Sequence, residues 1–331
     1  MTGDSDQNIE QDIQARSQDV GFTSSELIEC TGCGRANAPT RSSCLYCGAV
    51  LESVGITKFD IREPESWESG FNVIVADAQG ADIDRAAALL ASLLREERDN
   101  AKSILTSGKT LPAARVESEE QAAGIRERLL ELGVKTLIVS DTSLQPNAPP
   151  TRLRSIMFDG DELKLELFSN GESRTLKSDQ LALIVPGMII EKRTESVERR
   201  KLRGAKTVSE TEMSSDRPVI DIYSKSEPAG WRIPAAGFDF SCLGADKSLV
   251  VSDNMKRLAA KLTEFSPTAR VVDDYMSIRS TLEHAWPSEA TRDSEVLGLK
   301  GKEFARKITT HNATQFTKYS RLQWQRYEKK V

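Results

Sequence analysis

Two short cysteine motifs near the N-terminus constrain this chain more than any other feature of its sequence. Both have the pattern Cys-x-x-Cys-Gly, and ten residues separate them. Four thiolates at this spacing can surround one zinc ion in a tetrahedron, and the glycine after each pair suits the positive φ of a tight turn. The sequence therefore predicts one structural Zn²⁺ ion per chain, held by Cys30, Cys33, Cys44 and Cys47.

Two disulfides are the alternative use of these cysteines. Disulfides belong to oxidising compartments, which proteins usually reach through a signal peptide with an apolar segment. The first residues, MTGDSDQNIEQDIQ, are acidic and have no such segment. We therefore expect a reducing, cytoplasmic location, which the unpaired fifth cysteine, Cys242, also fits. Because four protein ligands close the coordination shell, a catalytic zinc ion is not expected.

The segment from about Leu27 to Leu51 resembles the zinc-ribbon family through the sequences CTGCG and CLYCG. The ligand positions of that family correspond to the same four cysteines. The resemblance implies a zinc ribbon over residues 26–52 that either staples a local fold or presents a docking surface. The spacing of the cysteines is compatible with both roles.

The charge of the chain is distributed unevenly. The net charge is −5, so a general affinity for nucleic acid is not expected. Residues 1–29 hold seven acidic side chains against one arginine, and residues 1–25 have almost no apolar side chains. This composition predicts a disordered acidic arm over residues 1–25. No apolar run is long enough to span a bilayer, so no membrane partner is expected.

A small α/β domain is predicted over residues 71–141, after a linker over residues 53–70. Apolar periodicity predicts a strand at 71–75, helices at 83–95 and 98–105, a strand at 111–116, and a strand at 134–139. Between the last two strands, Ser118 and Gln121 form the capping box of a further helix. The predicted order is therefore β-α-α-β-α-β.

This order resembles the C-terminal domain of the bacterial ribosomal stalk protein. The similar segments are NAKSIL at 100–105, Val116, SEEQA at 118–122 and LELG at 130–133. In that family the domain recruits translation factors through a surface rich in lysine and glycine. Here the matching helix keeps Lys102 but surrounds it with acidic residues. The resemblance therefore implies the fold, while factor binding does not follow.

A β-rich domain with C-terminal helices is predicted over residues 152–287, after a second linker at 142–151. Alternating apolar residues predict several antiparallel strands, including one at 237–243. The charged, serine-rich stretch at 194–217 is predicted to be an exposed loop. The strand order resembles a pleckstrin-homology-like barrel, which implies a small barrel or sandwich. The fold class is therefore multidomain α+β.

A basic tail rich in aromatic residues is predicted over residues 288–331. Residues 300–331 hold nine lysines and arginines against two glutamates. Aromatic rings can stack on bases while Lys and Arg contact phosphates, so nucleic acid is one candidate partner. The alternatives are packing on the β-rich domain and contact with the acidic arm. The residues concerned are Lys318, Tyr319, Arg321, Trp324, Arg326 and Tyr327.

No catalytic residue is predicted. The sequence has no glycine-rich phosphate loop, and its two histidines are His284 and His311. Cys242 is interpreted as a small buried side chain, and Asp273 with Asp274 as favourable charge at a helix start. The first functional hypothesis is a non-enzymatic zinc-binding interaction or adaptor protein that binds another protein. The alternatives are a nucleic-acid- or ribosome-associated factor and an enzyme of unknown type in the β-rich domain.

Overall fold

The chain divides into two compact units, residues 1–60 and residues 61–331. The computed structural model describes residues 27–37, 44–49, 61–65, 67–94, 97–145, 147–201, 204–297 and 303–329. The acidic arm predicted at residues 1–25 lies outside these described residues. In the first unit, strands β1 (Ile28–Glu29) and β2 (Ala36–Asn37) pair antiparallel.

The second unit begins with a three-stranded antiparallel sheet of order β4-β3-β5, accompanied by three helices. The elements are β3 (Phe71–Asp77), α1 (Ile83–Leu94), α2 (Arg98–Thr106), β4 (Pro112–Val116), α3 (Glu119–Glu131) and β5 (Lys135–Ser140). This is the β-α-α-β-α-β order that the sequence predicts. Ser118 caps α3, because its hydroxyl accepts a hydrogen bond from the Gln121 backbone N–H at 3.3 Å.

The linker predicted at 53–70 overlaps the start of this unit. Residues 53–60 lie outside the described residues, whereas residues 61–65 and 67–70 pack against the three-stranded sheet. Arg62 forms an ion pair with Glu117 at 2.9 Å, and the Pro64 carbonyl accepts a hydrogen bond from Arg115 at 2.9 Å. Trp67 is 80% exposed. Residues 61–65 and 67–70 therefore pack on the second unit, and the bounds of the linker stay a prediction.

A nine-stranded sheet dominates the rest of the described residues. Its main order is β13-β14-β9-β10-β11-β6-β7-β8, and β12 pairs in addition with β9. The strands are β6 (Thr151–Asp159), β7 (Glu162–Leu167), β8 (Ser173–Lys177), β9 (Leu181–Lys201), β10 (Gly204–Ser224), β11 (Glu227–Pro234), β12 (Arg270–Val271), β13 (Glu289–Leu297) and β14 (Glu303–His311). Since the end strands β13 and β8 do not pair in the described residues, the sheet is open. The predicted barrel is therefore wrong: the hairpin of β13 and β14 extends the sheet along β9.

Helices follow or interrupt the strands of this sheet. They are α4 (Asp141–Leu144), a 3₁₀ helix (Phe240–Asp246), α5 (Val251–Phe265), α6 (Tyr275–Leu282) and α7 (Ala313–Lys329). The strand predicted at 237–243 is wrong: Gly237 lies in a turn, Asp239 forms a single isolated bridge with Ser155, and a 3₁₀ helix begins at Phe240. Asp239 accepts hydrogen bonds from the backbone N–H and the hydroxyl of Ser241, which starts a helical turn.

Residues 194–217 are not the loop that the sequence predicts. In the described residues they form the outer halves of β9 and β10, which pair in antiparallel register. β14 pairs with the other edge of β9. Residues 209–217 are exposed, and Arg217 forms an ion pair with Glu191 at 2.6 Å. Because residues 209–217 are exposed on both faces of β10, this part of the strand lacks the apolar alternation that usually reveals a strand.

The C-terminal residues are not a loop-like tail either. Residues 289–297 and 303–311 form the paired strands β13 and β14, and residues 313–329 form α7. Every residue from Gln315 to Trp324 is buried. The basic aromatic stretch is therefore an internal helix of the unit, and four of the six candidate nucleic-acid contacts, Lys318, Tyr319, Arg321 and Trp324, are buried.

Helix α7 packs closely against the nine-stranded sheet. A Cβ atom at Gly187 would lie 2.1 Å from the Phe316 ring, so only glycine lets β9 approach the helix this closely. The rings of Tyr223 and Trp324 stack with centroids 5.3 Å apart. The Tyr223 hydroxyl also lies 2.7 Å from the Ser320 hydroxyl. These contacts join α7 to β9 and β10.

One hydrophobic core extends through the three-stranded sheet, α6, α7 and part of the nine-stranded sheet. It includes Val73 and Ile125 from the predicted α/β domain, and Tyr223 and Phe316 from the later residues. A second core lies between β6, β7, β10, β11 and α5. The domains predicted at 71–141 and 152–287 therefore share apolar packing, although their boundaries stay predictions.

A buried ion cluster lies within the shared core. The Asp141 carboxylate accepts hydrogen bonds from Arg115 Nε at 2.8 Å and Asn72 Nδ2 at 3.0 Å, and Lys318 Nζ lies 2.8 Å away. The Gly70 backbone N–H also donates to it at 3.0 Å. The cluster therefore ties β3, β4, α4 and α7 together.

This environment holds the pKa of Asp141 below its ordinary value. Burial alone raises the pKa of the carboxyl group, but Lys318, Asn72 and Arg115 favour the charged form and outweigh burial. A carboxyl group with a lowered folded pKa contributes stability that is complete above its unfolded pKa. That contribution is lost as the pH falls through the folded pKa.

We expect Asp141→Asn to destabilise residues 61–331 by about 3–5 kcal/mol at neutral pH, because it leaves two buried cations without their anion. Urea unfolding followed by circular dichroism measures this change. The matched control is Asp77→Asn, which removes an exposed ion pair with Lys135 and should change the free energy of unfolding far less, because water screens that pair. Two results would contradict this account. One is an equally small destabilisation by both substitutions, and the other is a destabilisation by Asp141→Asn that stays unchanged in strong acid.

Candidate metal centre

The two cysteine motifs fold into two turns of the same geometry. In the first, the Cys30 N–H donates to the Arg35 carbonyl at 3.0 Å, and the Gly34 N–H donates to the Cys30 carbonyl at 2.7 Å. In the second, the Cys44 N–H donates to Ala49 at 2.8 Å and the Gly48 N–H donates to Cys44 at 3.0 Å. Gly34 and Gly48 have φ angles of 67° and 71°, which a side chain would disfavour.

The turns bring the four predicted ligands together. Sγ of Cys30 lies 3.6 Å from Sγ of Cys47, and Sγ of Cys33 lies 3.6 Å from Sγ of Cys44. All four sulfur atoms lie within 4.8 Å of one another. A disulfide would require about 2.05 Å. In a zinc–thiolate tetrahedron, bonds of about 2.3 Å place the sulfur atoms about 3.8 Å apart. The cluster is therefore compatible with a bound metal ion.

Asn37 links the two turns, a role that sequence reasoning missed. Its Oδ1 accepts a hydrogen bond from the Leu45 N–H at 2.9 Å, and its Nδ2 donates to the Arg35 carbonyl at 2.8 Å. The same Nδ2 lies 3.5 Å from Sγ of Cys44. The identity of Asn37 alone does not reveal that its side chain is buried between the turns.

The surroundings of Cys44 favour its thiolate form. Burial raises the pKa of the Cys44 thiol, but hydrogen bonds from the backbone of Tyr46 and Cys47 and from the Asn37 side chain outweigh burial. The resulting pKa is about 6. The pKa of Cys47 is raised to about 12. The Ala49 backbone lowers it, while Cys30, Cys33, burial and Cys44 raise it more. This contrast is expected when several sulfur atoms share one small volume, because the first negative charge disfavours the next. A divalent cation would remove that repulsion.

The tip of the second turn carries two large exposed side chains. Leu45 is 62% exposed and Tyr46 is 54% exposed. The Arg35 guanidinium lies over the Tyr46 ring, 4.6 Å from its centroid. The turn that carries Cys44 and Cys47 therefore holds an apolar and an aromatic side chain in solvent, next to a cation.

The other residues weighed as sites lie elsewhere in the described chain. Cys242 is half-buried in the 3₁₀ helix, and burial raises the pKa of its thiol. Asp274 forms an ion pair with Lys109 at 2.5 Å and accepts a hydrogen bond from Tyr319. His311 Nε2 lies 3.6 Å from a Glu289 carboxylate oxygen. Within the described residues, the four-cysteine cluster is the one group of metal-ligating side chains close enough to share an ion.

No helix in the described part of the chain combines the length and the apolar character needed to cross a membrane.

Comparison with known proteins identifies no relative. No protein-family model, curated protein or solved structure matches the chain. The function is therefore inferred from the residues of the chain itself.

We expect Cys33→Ser to reduce the zinc content of the purified protein from about one ion per chain to well below one, because three thiolates remain. Elemental analysis after dialysis measures the content. Cys242→Ser is the matched control and should keep the ion, because Cys242 lies outside the cluster. Residues 61–331 should unfold at the same urea concentration with and without chelation, because they have their own cores. Equal zinc contents of the two variants would contradict the assignment.

Proposed function

We propose that this protein is a non-enzymatic interaction or adaptor protein whose N-terminal unit is a zinc ribbon stapled by one structural zinc ion. The supporting observation is the close approach of four sulfur atoms. Four protein ligands leave no open position for a substrate, so the ion acts on the fold of the segment. Binding of the metal would supply most of the folding free energy of so small a unit. A cytoplasmic location suits this role, because it keeps thiols reduced.

The docking surface of this unit is the pair Leu45 and Tyr46. Large apolar and aromatic side chains that stay exposed beside each other mark interaction surfaces more often than scattered single ones do. Tyrosine and arginine are also enriched among residues that dominate binding energy at interfaces. Here the zinc ion fixes the turn that presents Leu45 and Tyr46, and Arg35 orients the ring. The partner we propose is a protein with an apolar pocket and an acidic rim facing Arg35.

A nucleic-acid- or ribosome-associated role is the second candidate. It is supported by the same surface, because an exposed ring beside a guanidinium can stack on an unpaired base. Six residues of α7 first suggested this role, and four of them are buried inside the unit. The other two, Arg326 and Tyr327, are half-buried. Binding through that segment stays a prediction.

We expect Tyr46→Ala and Leu45→Ala each to abolish or strongly reduce capture of specific protein partners by the full chain. Affinity capture from lysate treated with nuclease, followed by mass spectrometry, measures the loss. Leu130→Ala is the matched control, because Leu130 is 59% exposed but belongs to α3 of the second unit. Zinc content is measured for every variant, so that loss of the surface is distinguished from loss of the ion.

Partners that bind the wild type, Leu130→Ala and Tyr46→Ala equally would contradict a docking role for this surface. Capture that disappears on nuclease treatment and also requires Tyr46 would favour the nucleic-acid role.

A further inference from the structure

A groove follows the free edge of β5 between helices α3 and α7. One part has a volume of 320 Å³ and the adjoining part a volume of 460 Å³. The two parts share Glu119, Ile138, Val139 and Gln325 in their walls, so they are continuous. Both volumes lie in the range of about 300–1,000 Å³ that is typical of ligand pockets.

The floor of the groove is an unpaired strand edge. In the described residues, β5 pairs with β3 alone, so the outward N–H and C=O groups on its other side have no strand partner. Outward groups alternate along a strand, so a six-residue strand offers about three such positions. Natural proteins usually protect such an edge with proline, a bulge or a covering element. Here α3 and α7 flank the edge and leave a channel along it.

The same floor offers apolar contacts. Leu137 and Ile138 are half-buried and line the part near Thr136. Side chains at successive positions of a strand point to opposite faces. An extended peptide paired with β5 would therefore place alternate side chains against the α3 side and the α7 side of the groove. Strand addition of this kind combines backbone hydrogen bonds for affinity with side-chain pockets for specificity.

Charges at the Thr136 end favour an anion. Two arginines, Arg126 and Arg326, line this part against one acidic residue, Glu119, so its net charge is positive. In the described residues neither arginine has a hydrogen bond or ion pair, and Arg326 Nε and Thr136 Oγ1 are buried donors without an acceptor. Nearly all buried polar groups in proteins have a partner, so these two donors are available to an acceptor that enters the groove. The other end is lined by Glu328 and has no arginine.

We propose that this groove binds an extended peptide as an added strand on β5, with an aspartate or glutamate side chain of the peptide accepting hydrogen bonds from Arg326 and Thr136. Arg126 at the rim adds attraction for the same carboxylate, while Glu328 at the other end disfavours a second acidic residue there. This site lies on residues 61–331 and does not depend on the cysteine cluster. It is therefore independent of the function proposed above.

The test is selection of a display library of random octapeptides on the full-length protein. We expect enrichment of peptides with one acidic residue among alternating β-branched or aromatic residues. The synthetic forms of these peptides should bind at least tenfold more weakly to Arg326→Gln and measurably more weakly to Arg126→Gln. Replacing the acidic residue by its amide should produce a similar loss, and N-methylation of alternate backbone amides should abolish binding.

The matched control is Arg292→Gln, which removes an exposed arginine of β13 and should bind the peptides as the wild type does. Urea unfolding of Arg326→Gln checks that its fold is intact. Arg126 is exposed, so Arg126→Gln is a second variant whose effect on binding cannot come from a disturbed core. Chelation of the metal should leave binding unchanged, which separates this site from the cysteine cluster.

Three results would overturn the proposal. The first is enrichment of no peptide. The second is enrichment of peptides whose binding is equal in Arg326→Gln and in the wild type, or is lost on chelation. The third is tight, Arg326-dependent binding of a synthetic peptide of residues 1–26, because the occupant would then be a segment of the same chain instead of a partner.

Discussion

The second unit depends on the burial of one carboxylate, that of Asp141. Arg115 and Lys318 both lie 2.8 Å from it, and all three side chains are almost fully removed from water. A buried cation that loses its anion destabilises a protein far more than the pair stabilises it, so these residues bind strand β4, helix α4 and helix α7 to one another. The ion cluster thereby fixes α7 inside the unit.

Polar contacts extend from this cluster along α7. Trp286 donates its indole N–H to Asn72 at 2.7 Å, and Gln315 donates to the Trp286 carbonyl at 2.8 Å. On the other side of the helix, Arg232 forms two bonds with Asp221, at 2.7 and 2.8 Å, and a third with Thr317. A helix rich in Lys, Arg, Gln and Thr can therefore be internal, because the rest of the fold supplies a partner for most of its polar groups.

These distant partners explain which parts of the fold could be predicted. The cysteine cluster and the β-α-α-β-α-β order could be predicted because their signals are local: a ligand spacing, a capping box at Ser118 and apolar periodicity. The position of α7 could not, because Lys318 meets Asp141 across 177 residues and nothing near Lys318 records that contact. The outer halves of β9 and β10 were missed for a different reason. Residues 209–217 of β10, for example, are exposed on both faces of the strand, so they carry no apolar alternation.

The candidate sites also differ in how much of them the sequence reveals. The four cysteines are visible in the sequence, whereas Asn37 between the two turns and Arg326 in the β5 groove are recognisable only from their surroundings. Together, the Leu45–Tyr46 surface and the β5 groove would give the chain two binding sites on two separately folded units. That arrangement suits an adaptor, since one site can be occupied without changing the other.

The most direct test of this account is hydrogen–deuterium exchange of the full-length protein, measured by mass spectrometry. If α7 is an internal helix held by Asp141, peptides covering residues 313–327 will exchange at rates close to those of global unfolding, well below the rates of residues 209–217 on the open edge of β10. Exchange of residues 313–327 within seconds would show that the C-terminal segment is a peripheral tail and would contradict the account.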